Sequence, residues 1–314
     1  MSATDQDNLF YRQEIERLKE EKNALIMAHY YQRDEIQEIA DFIGDSLALA
    51  RYAATTDADV IVMCGVHFMG ETAKILCPDK VVLIPDLSAG CSLADSCNPE
   101  EFEKFVKSHP DHTVISYVNT SAAVKANTDI VVTSGNARKI VEQLPEDEKI
   151  IFGPDKNLGE YINSVTGRQM LLWNGACHVH DRFSLEKIIE MKKEHPGAKI
   201  LVHPECKRHL QMIADKVGST AALLEFAQKD DAKEYIVVTE SGILFEMRKK
   251  CPEKIFLAAP AEDAECQCNE CDFMKKNTLR KVYECLRDGK PVIEVDPQIA
   301  EKALRPIERM LAMS

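Results

Sequence analysis

The sequence predicts an α/β protein made of three similar units, each a parallel sheet between two layers of helices. Short apolar runs rich in β-branched residues alternate along the chain with segments of helical pattern. The runs are continuous rather than alternating, which is typical of strands buried on both faces of a parallel sheet. This succession occurs three times and leads each time to a cysteine, namely Cys91, Cys177 and Cys271. Because internal repetition decides an architecture, we expect three αβα domains, related by a pseudo-threefold axis, around a central active site.

The repeats also set the expected domain boundaries, although they are not copies of one another. The second is expected to insert an extra element at 169–173, and the third is followed by a predicted helix at 278–286 and a predicted strand at 292–295. The length of 314 residues is comfortable for two or three domains. The predicted domains are 1–107, 108–190 and, with a C-terminal segment, 191–314.

Each unit is expected to begin with an amphipathic helix and to continue as three strands separated by helices. Asn98 and Ser184 are the expected N-caps of the second and third of these helices, and Pro99 suits a first helical position. Helices between the strands supply the crossovers of a parallel sheet. The strands are predicted within 24–30, 59–64, 80–86, 113–119, 129–134, 149–155, 199–204, 234–240 and 254–260.

Composition excludes several classes of protein. The formal net charge of −13 argues against non-specific binding to nucleic acid, which depends on Lys and Arg. Apolar runs fall short of the roughly 20 residues that span a bilayer, so no membrane segment is expected. The first residues lack the pattern of a secretory signal, which predicts a cytoplasmic protein. Eleven cysteines in such a chain favour metal binding or catalysis over a disulfide framework.

Polar residues stand where the predicted strands end. Ligands of open parallel sheets bind beyond the carboxyl ends of the strands, so corresponding polar groups in three repeats predict one shared site. A single polar residue at a strand end more often marks only the point where the strand reaches water. Three corresponding groups of polar residues favour a shared site. First strands end in His29-Tyr-Tyr31, Tyr117-Val-Asn119 and His203-Pro-Glu205, and second strands end in Cys64, Thr133-Ser134 and Thr239-Glu240.

Small polar residues recur where a helix is expected to follow. Ser46 and Thr220 stand at such helix starts, and a helix N-terminus with free N–H groups is a natural anion site. Each could hold a carboxylate or phosphate. Ordinary N-capping is at least as good an explanation for either residue alone.

The three cysteines lie too far apart in sequence for a local metal motif, and the reason to group them is topological. Three thiolates converging on one axis can bind three irons of a [4Fe–4S] cluster and leave the fourth iron open as a Lewis acid. Zinc is the main alternative, because Cys266, Cys268 and Cys271 are spaced closely enough for a local site. A redox switch between neighbouring thiols is a third possibility.

The ordered motifs of the chain resemble those of the quinolinate synthase family, over about residues 20–290. The resemblance implies three α/β domains around a central [4Fe–4S] cluster, one per chain, held by Cys91, Cys177 and Cys271. The motifs that carry it are His29-Tyr-Tyr31, Gly44-Asp-Ser46, Ala89-Gly-Cys91, Tyr117-Val-Asn-Thr-Ser121, Thr133-Ser-x-Asn136, Cys177-His-Val-His180, His203-Pro-Glu205, Gly218-Ser-Thr220 and Cys271-x-Phe-Met274-x-x-Asn277.

The resemblance also implies an activity, that of a transferase of NAD biosynthesis. The family condenses iminoaspartate with dihydroxyacetone phosphate and releases phosphate and two waters to form quinolinate. An enzyme that oxidises L-aspartate would supply the iminoaspartate. Carried over position by position, four residues would hold substrate carboxylates: His29, Ser46, Ser134 and Thr220. The pocket would be lined by Tyr117, Val118, Asn119, His203, Pro204 and Glu205.

The condensation needs an acid or base, and Glu205 is our first choice, ahead of Tyr31. His203 and Tyr117 are expected to take part beside them, and a carboxylate next to His203 could be tuned toward neutral pH. Two other functions fit part of the pattern: a [4Fe–4S] hydro-lyase acting on another dicarboxylate, and a cluster-bearing sensor without catalysis. The sensor leaves the polar residues at the strand ends without a task.

Overall fold

The computed structural model describes residues 3–262 and 269–314, and its architecture confirms the predicted α/β class. Three four-stranded parallel sheets are each flanked by helices. The first sheet contains β1 (Ala24–His29), β2 (Phe42–Gly44), β3 (Val60–Cys64) and β4 (Val81–Leu83). The second contains β5 (Thr113–Tyr117), β6 (Ile130–Val132), β7 (Ile150–Phe152) and β8 (Leu171–Leu172). The third contains β9 (Lys199–Val202), β10 (Lys216–Val217), β11 (Glu234–Val238) and β12 (Ile255–Ala258).

The three sheets share one strand order. It is β2-β1-β3-β4 in the first, β6-β5-β7-β8 in the second and β10-β9-β11-β12 in the third. The two central strands of each sheet are mostly buried, as their continuous apolar sequences predict. The chain therefore contains one topology three times, and the central pair of each sheet comes from its first and third strands.

The shared order corrects the predicted alignment of the repeats. The segment 129–134 contains β6, which corresponds to the edge strands β2 and β10 and not to β3. The segment 169–173 contains β8, which is the regular fourth strand of its sheet and not an insertion. The sequence missed β2 and β10 because their few apolar residues stand between polar residues and glycine, in Asp41-Phe-Ile-Gly44 and Lys216-Val-Gly218, and show no apolar run.

The helices lie between the strands and at both ends of the chain. Asn98 and Ser184 cap α6 and α10 through their side chains, and Pro99 opens α6, as predicted. No helix of the described residues is both long and apolar enough to cross a membrane. The helices are α1 (Ala3–Lys22), α2 (Asp34–Ile39), α3 (Ser46–Ala53), α4 (His67–Leu76), α5 (Ser92–Asp95), α6 (Pro99–Lys107), α7 (Ala122–Lys125), α8 (Ala137–Glu142), α9 (Lys156–Thr166), α10 (Leu185–Glu194), α11 (Arg208–Gln211), α12 (Thr220–Lys229), α13 (Ile243–Lys250), α14 (Leu279–Asp288) and α15 (Pro297–Met313).

Two helices pack against the sheet of the unit that follows a predicted domain boundary. The buried Phe102 of α6 packs against β5 and β7 of the second sheet, although the boundary at 107 leaves α6 with the first unit. The buried Ile188 of α10 packs with β9 and β11 of the third sheet, although the boundary at 190 divides α10. We therefore propose that the second unit begins near Asn98 and the third near Ser184.

The C-terminal segment does not stay with the third unit. The helix α14, which the sequence predicted, packs against α1 on the first unit. The predicted strand at 292–295 is reduced to a single antiparallel bridge between Leu83 and Val292. The unpredicted α15 then packs against β6 and α7 of the second unit, and Asn136 donates a hydrogen bond to Ser314 at 2.7 Å. The last helices thus tie the first two units together.

Candidate active site

A cavity lies where the three sheets meet. All three units contribute to its wall, and so do all three cysteines of the repeats. Val118 and Pro204, which were also predicted to bind substrate, are buried but do not line it. The predicted residues that line it are His29, Tyr31, Ser46, Cys91, Tyr117, Asn119, Ser134, Cys177, His203, Glu205, Thr220 and Cys271.

The register of the parallel strands explains why a hydroxyl from each unit reaches the cavity. His29 lies opposite Gly44 in the first sheet, and Ser46 follows two residues later. Tyr117 lies opposite Val132 in the second sheet, and Ser134 follows two residues later. In the third sheet Val202 lies opposite Val217. The next residue, Gly218, corresponds to Gly44 and Val132, and Thr220 follows it two residues later.

The helix starts differ from the prediction. Ser46 and Thr220 are the first helical residues, while the capping side chains are those of Asp45 and Ser219, which accept from the N–H groups of Ala48 and Ala222. The N–H groups predicted to be free for an anion are therefore partly occupied. At α3 the cap is a carboxylate that itself lines the cavity, so an anion there must rely on the Ser46 hydroxyl.

Two histidines present the same ring atom to the cavity. The backbone N–H of Tyr31 donates to His29 Nδ1 at 3.1 Å, and that of Glu205 donates to His203 Nδ1 at 3.3 Å. Nδ1 is thus an acceptor in both rings, which places the proton of each neutral imidazole on Nε2. The Nε2 atom of His203 lies 3.2 Å from Ser134 Oγ. Burial lowers the pKa of both histidines to about 3, so both are neutral donors at physiological pH.

Glu205 lies at the centre of a buried polar cluster. Its Oε1 accepts a hydrogen bond of 2.6 Å from the Tyr117 hydroxyl, and its Oε2 lies 3.2 Å from His180 Nδ1. Burial by itself raises the pKa of Glu205, but His180, His203 and the Tyr117 hydroxyl outweigh it and hold the pKa below its usual range. This direction favours the ionised carboxylate at neutral pH, and a pKa tuned toward neutrality stays a prediction.

The two tyrosines are held as proton donors. The Tyr31 hydroxyl lies 2.7 Å from Thr220 Oγ1 and 2.8 Å from Thr239 Oγ1. Burial is the main reason why the pKa of Tyr31 and that of Tyr117 lie well above the usual value, and the Glu205 charge adds to it. Both phenols stay protonated at neutral pH.

Sequence reasoning gave no role to His180. This residue is buried, its ring stacks on His203 with centroids 4.6 Å apart, and its Nε2 lies 2.9 Å from Thr239 Oγ1. Its Nδ1 lies 3.3 Å from Cys177 Sγ. The spacing Cys177-x-x-His180 was the available signal, but the step to Glu205 and Thr239 crosses between units and cannot be read from spacing.

Each cysteine of the repeats follows the fourth strand of its sheet, as the topological argument requires. All three are half-buried. Buried carboxylates hold two of their backbone N–H groups: Asp155 accepts from Cys177 at 2.9 Å and Glu240 accepts from Cys271 at 3.1 Å. Burial raises the pKa of Cys91 to about 12, that of Cys271 to about 11 and that of Cys177 well above its usual value. The charge of Cys271 adds to the raised pKa of Cys91, and the charges of Cys91 and Cys271 add to that of Cys177.

The residues fit an iron–sulfur cluster. Three cysteine thiols on one cavity are the donors that such clusters use, and a metal would remove the protons that burial retains. In the described part of the chain, one group of three metal-binding side chains has its ligand atoms all within 4.8 Å of one another, and it is Cys177, His180 and Glu205. The three cysteine sulfurs are therefore spread more widely than the about 3.8 Å that a tetrahedral ion with Zn–S bonds of about 2.3 Å requires. Cys266 and Cys268, the other part of the zinc alternative, lie outside the described residues.

The comparison with known proteins agrees with this geometry. The family model described as "Quinolinate synthetase A protein" matches residues 13–312. The chain belongs to this family. The quinolinate synthase of Microcystis aeruginosa is 56% identical over 308 residues, which cover 98% of this chain and 96% of the relative. That of Chloroherpeton thalassium is 55% identical over 302 residues, which cover 96% and 94%. The resemblance seen in the sequence is confirmed, and the chain is an enzyme of NAD biosynthesis.

Proposed function

We propose that the chain is a transferase that condenses iminoaspartate with dihydroxyacetone phosphate and releases phosphate and two waters to give quinolinate. The observation that carries the proposal is one cavity that is lined both by strand-end residues of three sheets and by the three cysteines of the repeats. Membership of the family supports the choice of substrates. An L-aspartate-oxidising enzyme would supply the iminoaspartate, and a cytoplasmic location stays a prediction.

Cys91, Cys177 and Cys271 would hold one [4Fe–4S] cluster. When bound, the cluster would supply a Lewis-acidic iron for the loss of water. All three cysteines line the same cavity as the polar residues, which supports this assignment. Asp155 and Glu240 would orient two of the cysteines through their backbone N–H groups.

The chain's own donors would hold the substrate carboxylates. His29 and His203 each present a neutral Nε2–H, and the hydroxyls of Ser46, Ser134 and Thr220 come from three different units. Neutral donors suit an anionic substrate in an acidic protein, because hydrogen bonds to charged groups are stronger than neutral ones. The buried Oδ1 of Asn119 has no hydrogen-bond partner among the described residues and would accept from a substrate N–H or O–H.

Glu205 and Tyr117 would move the protons. The ionised carboxylate would accept a proton from a substrate carbon, and the Tyr117 hydroxyl, which donates to Oε1 at 2.6 Å, would orient the carboxylate and stabilise its charge before the transfer. Tyr31, held by two threonine hydroxyls, would donate to a developing oxygen anion on the substrate. Each role uses the protonation state that burial imposes on the residue.

The test is a product assay under anaerobic conditions. Purified and reconstituted protein should form quinolinate from the two substrates, identified by chromatography and mass. Parallel reactions with simple hydroxy-dicarboxylates test the hydro-lyase alternative. Dehydration of those compounds without quinolinate would overturn the proposal, and a bound cluster without turnover on any of them would favour the sensor.

A further inference from the structure

A second set of metal-binding atoms overlaps the three cysteines. It consists of Cys177 Sγ, His180 Nδ1 and a carboxylate oxygen of Glu205, which all lie within 4.8 Å of one another. We infer that these three residues form a site for a single Zn²⁺ ion, available only while the cysteines carry no cluster. The ion and the cluster would then be mutually exclusive occupants of the cavity.

The spacing of the three atoms suits a tetrahedral ion. His180 Nδ1 lies 3.3 Å from Cys177 Sγ and 3.2 Å from Glu205 Oε2. Zinc bonds of about 2.0–2.3 Å with tetrahedral angles place neighbouring ligand atoms about 3.3–3.7 Å apart. The third pair, Cys177 Sγ and a carboxylate oxygen of Glu205, lies within 4.8 Å and would have to close by up to about 1 Å to bind the same ion. Water would supply the fourth ligand.

The chemistry of the donors also favours zinc. A thiolate, an imidazole and a carboxylate are all established zinc ligands, and the mixed set is softer than magnesium or calcium prefers. His180 and Glu205 are buried, and the polar neighbour of Glu205 Oε2 is His180 Nδ1 at 3.2 Å, in a geometry too poor for a hydrogen bond. A buried carboxylate oxygen with one weak contact is a costly group that a cation would stabilise.

An outer layer of hydrogen bonds already orients each ligand. His180 Nε2 lies 2.9 Å from Thr239 Oγ1, Tyr117 donates to the other oxygen of Glu205, and Asp155 accepts from the backbone N–H of Cys177. Metal-binding histidines usually direct their second nitrogen to such a partner, and the partners raise metal affinity. Three residues that the cluster does not need for coordination thus support the ligands of a different metal site.

Exclusivity follows from the shared thiolate and rests on the proposed cluster ligands. If Cys177 coordinated both the cluster and a separate zinc ion, its sulfur would have to bridge the two metals. His180 and Glu205 would then have to reach a zinc ion beside the cluster. Zinc bound to the cluster-free chain would therefore slow cluster assembly, and a complete cluster would leave no room for zinc.

The experiment titrates Zn²⁺ into the full-length, cluster-free protein in competition with a chromophoric chelator. Wild type should bind one ion at this site, with one sulfur and otherwise nitrogen or oxygen neighbours by zinc X-ray absorption. His180→Ala should weaken zinc binding at least about tenfold, because the loss of a residue that only hydrogen-bonds to a metal ligand already costs about that much affinity. Cys271→Ser is the matched control, because it removes a proposed cluster ligand but leaves the zinc ligands intact, and it should bind zinc as wild type does.

Several outcomes would overturn the inference. A shell of three sulfurs, unchanged affinity in His180→Ala, or loss of the ion in Cys271→Ser would each assign zinc to the cysteines instead. Glu205→Gln is the second ligand variant should His180→Ala fail to fold by circular dichroism, and it should also weaken binding. Zinc-loaded wild type should take up iron and sulfide more slowly than the cluster-free protein, and equal uptake with zinc retained would refute exclusivity. Quinolinate formation by the reconstituted wild type is a separate readout, so failure of the proposed function would show there.

Discussion

The polar side and the sulfur side of the cavity are built in different ways. On the polar side, buried rings and a carboxylate satisfy one another: Tyr31 with two threonines, Tyr117 with Glu205, and His203 with Ser134. On the sulfur side, the cysteines are half-buried and burial holds their thiols in the protonated form. Folding alone therefore sets the polar side, whereas the sulfur side reaches its charged state only with a metal.

The largest expected effect comes from substitutions on the sulfur side alone. Cys91→Ser or Cys177→Ser should abolish both the visible absorbance of the cluster and quinolinate formation, because a hydroxyl is a poor substitute for a soft thiolate ligand. Anaerobic absorption spectra and product assays check this result. Cys97→Ala, which changes a buried cysteine packed beside α6, is the matched control and should keep both. Retention of a full cluster by either serine variant would break the comparison.

The next effect breaks the polar side alone. Glu205→Gln keeps the size of the side chain and an oxygen for the Tyr117 hydroxyl, but it cannot take up a proton. Turnover should fall by about 10²–10⁴, the usual contribution of a general base, while the cluster spectrum stays that of wild type. Steady-state rates measured on protein of matched iron content test this. Loss of the cluster in this variant would show that the two sides are not independent.

The third effect concerns Lys275, which connects the polar side of the cavity to the sulfur side. Lys275 donates to the Tyr31 carbonyl at 2.7 Å and pairs with Glu240 at 2.9 Å, and Glu240 accepts from the Cys271 N–H. Lys275→Met would leave a buried carboxylate unpaired, which should lower the free energy of unfolding by about 3–5 kcal/mol. Urea denaturation measures the loss.

The double variant Lys275→Met/Glu240→Gln controls for the buried charge. It removes both members of the pair, so it should recover most of the stability lost in Lys275→Met. Equal instability of the two variants would show that Lys275 acts through its contact with Tyr31 and not through Glu240.

The smallest effect is a pH dependence of the polar side. The pKa of His29 and of His203 is lowered to about 3 by burial, against about 6.5 in the unfolded chain. Below pH 6.5 the unfolded chain binds protons that the folded chain excludes, so stability should fall with falling pH by up to about 1.4 kcal/mol per pH unit for each histidine. Urea unfolding of the cluster-free protein from about pH 7.5 to about pH 5 tests this.

A histidine variant tests whether His29 and His203 cause the pH dependence of stability. His203→Asn removes one of the two groups and should make stability less dependent on pH in the same range. An unchanged slope would mean that carboxylates, and not the two histidines, dominate the acid response.

Much of the site was predictable because its residues follow buried strands. His29, Tyr117 and His203 end strands whose apolar runs the sequence shows plainly, and parallel sheets bring such ends together. The correct matching of Ser46, Ser134 and Thr220 was not predictable, because β2 and β10 are too short to reveal the register that aligns them.

Contacts between units were beyond prediction for a different reason. His180 meets Thr239 across 59 positions of the chain, and Lys275 meets Tyr31 across 244. No local pattern encodes such pairs, since they depend on how whole sheets are placed. The repeats pointed to the cysteines and the strand-end residues, and the family resemblance gave them roles, whereas the residues that support them needed the structure.

The central claim is that Cys91, Cys177 and Cys271 hold one cluster, and an iron and sulfide count on Cys271→Ser tests it most directly. Cys268→Ser is the matched control from the same segment and lies outside the described residues. After anaerobic reconstitution, wild type and Cys268→Ser should carry about four irons and about four sulfides per chain, and Cys271→Ser should carry no stable cluster. A full, active cluster in Cys271→Ser, with loss of the cluster in Cys268→Ser, would contradict the account.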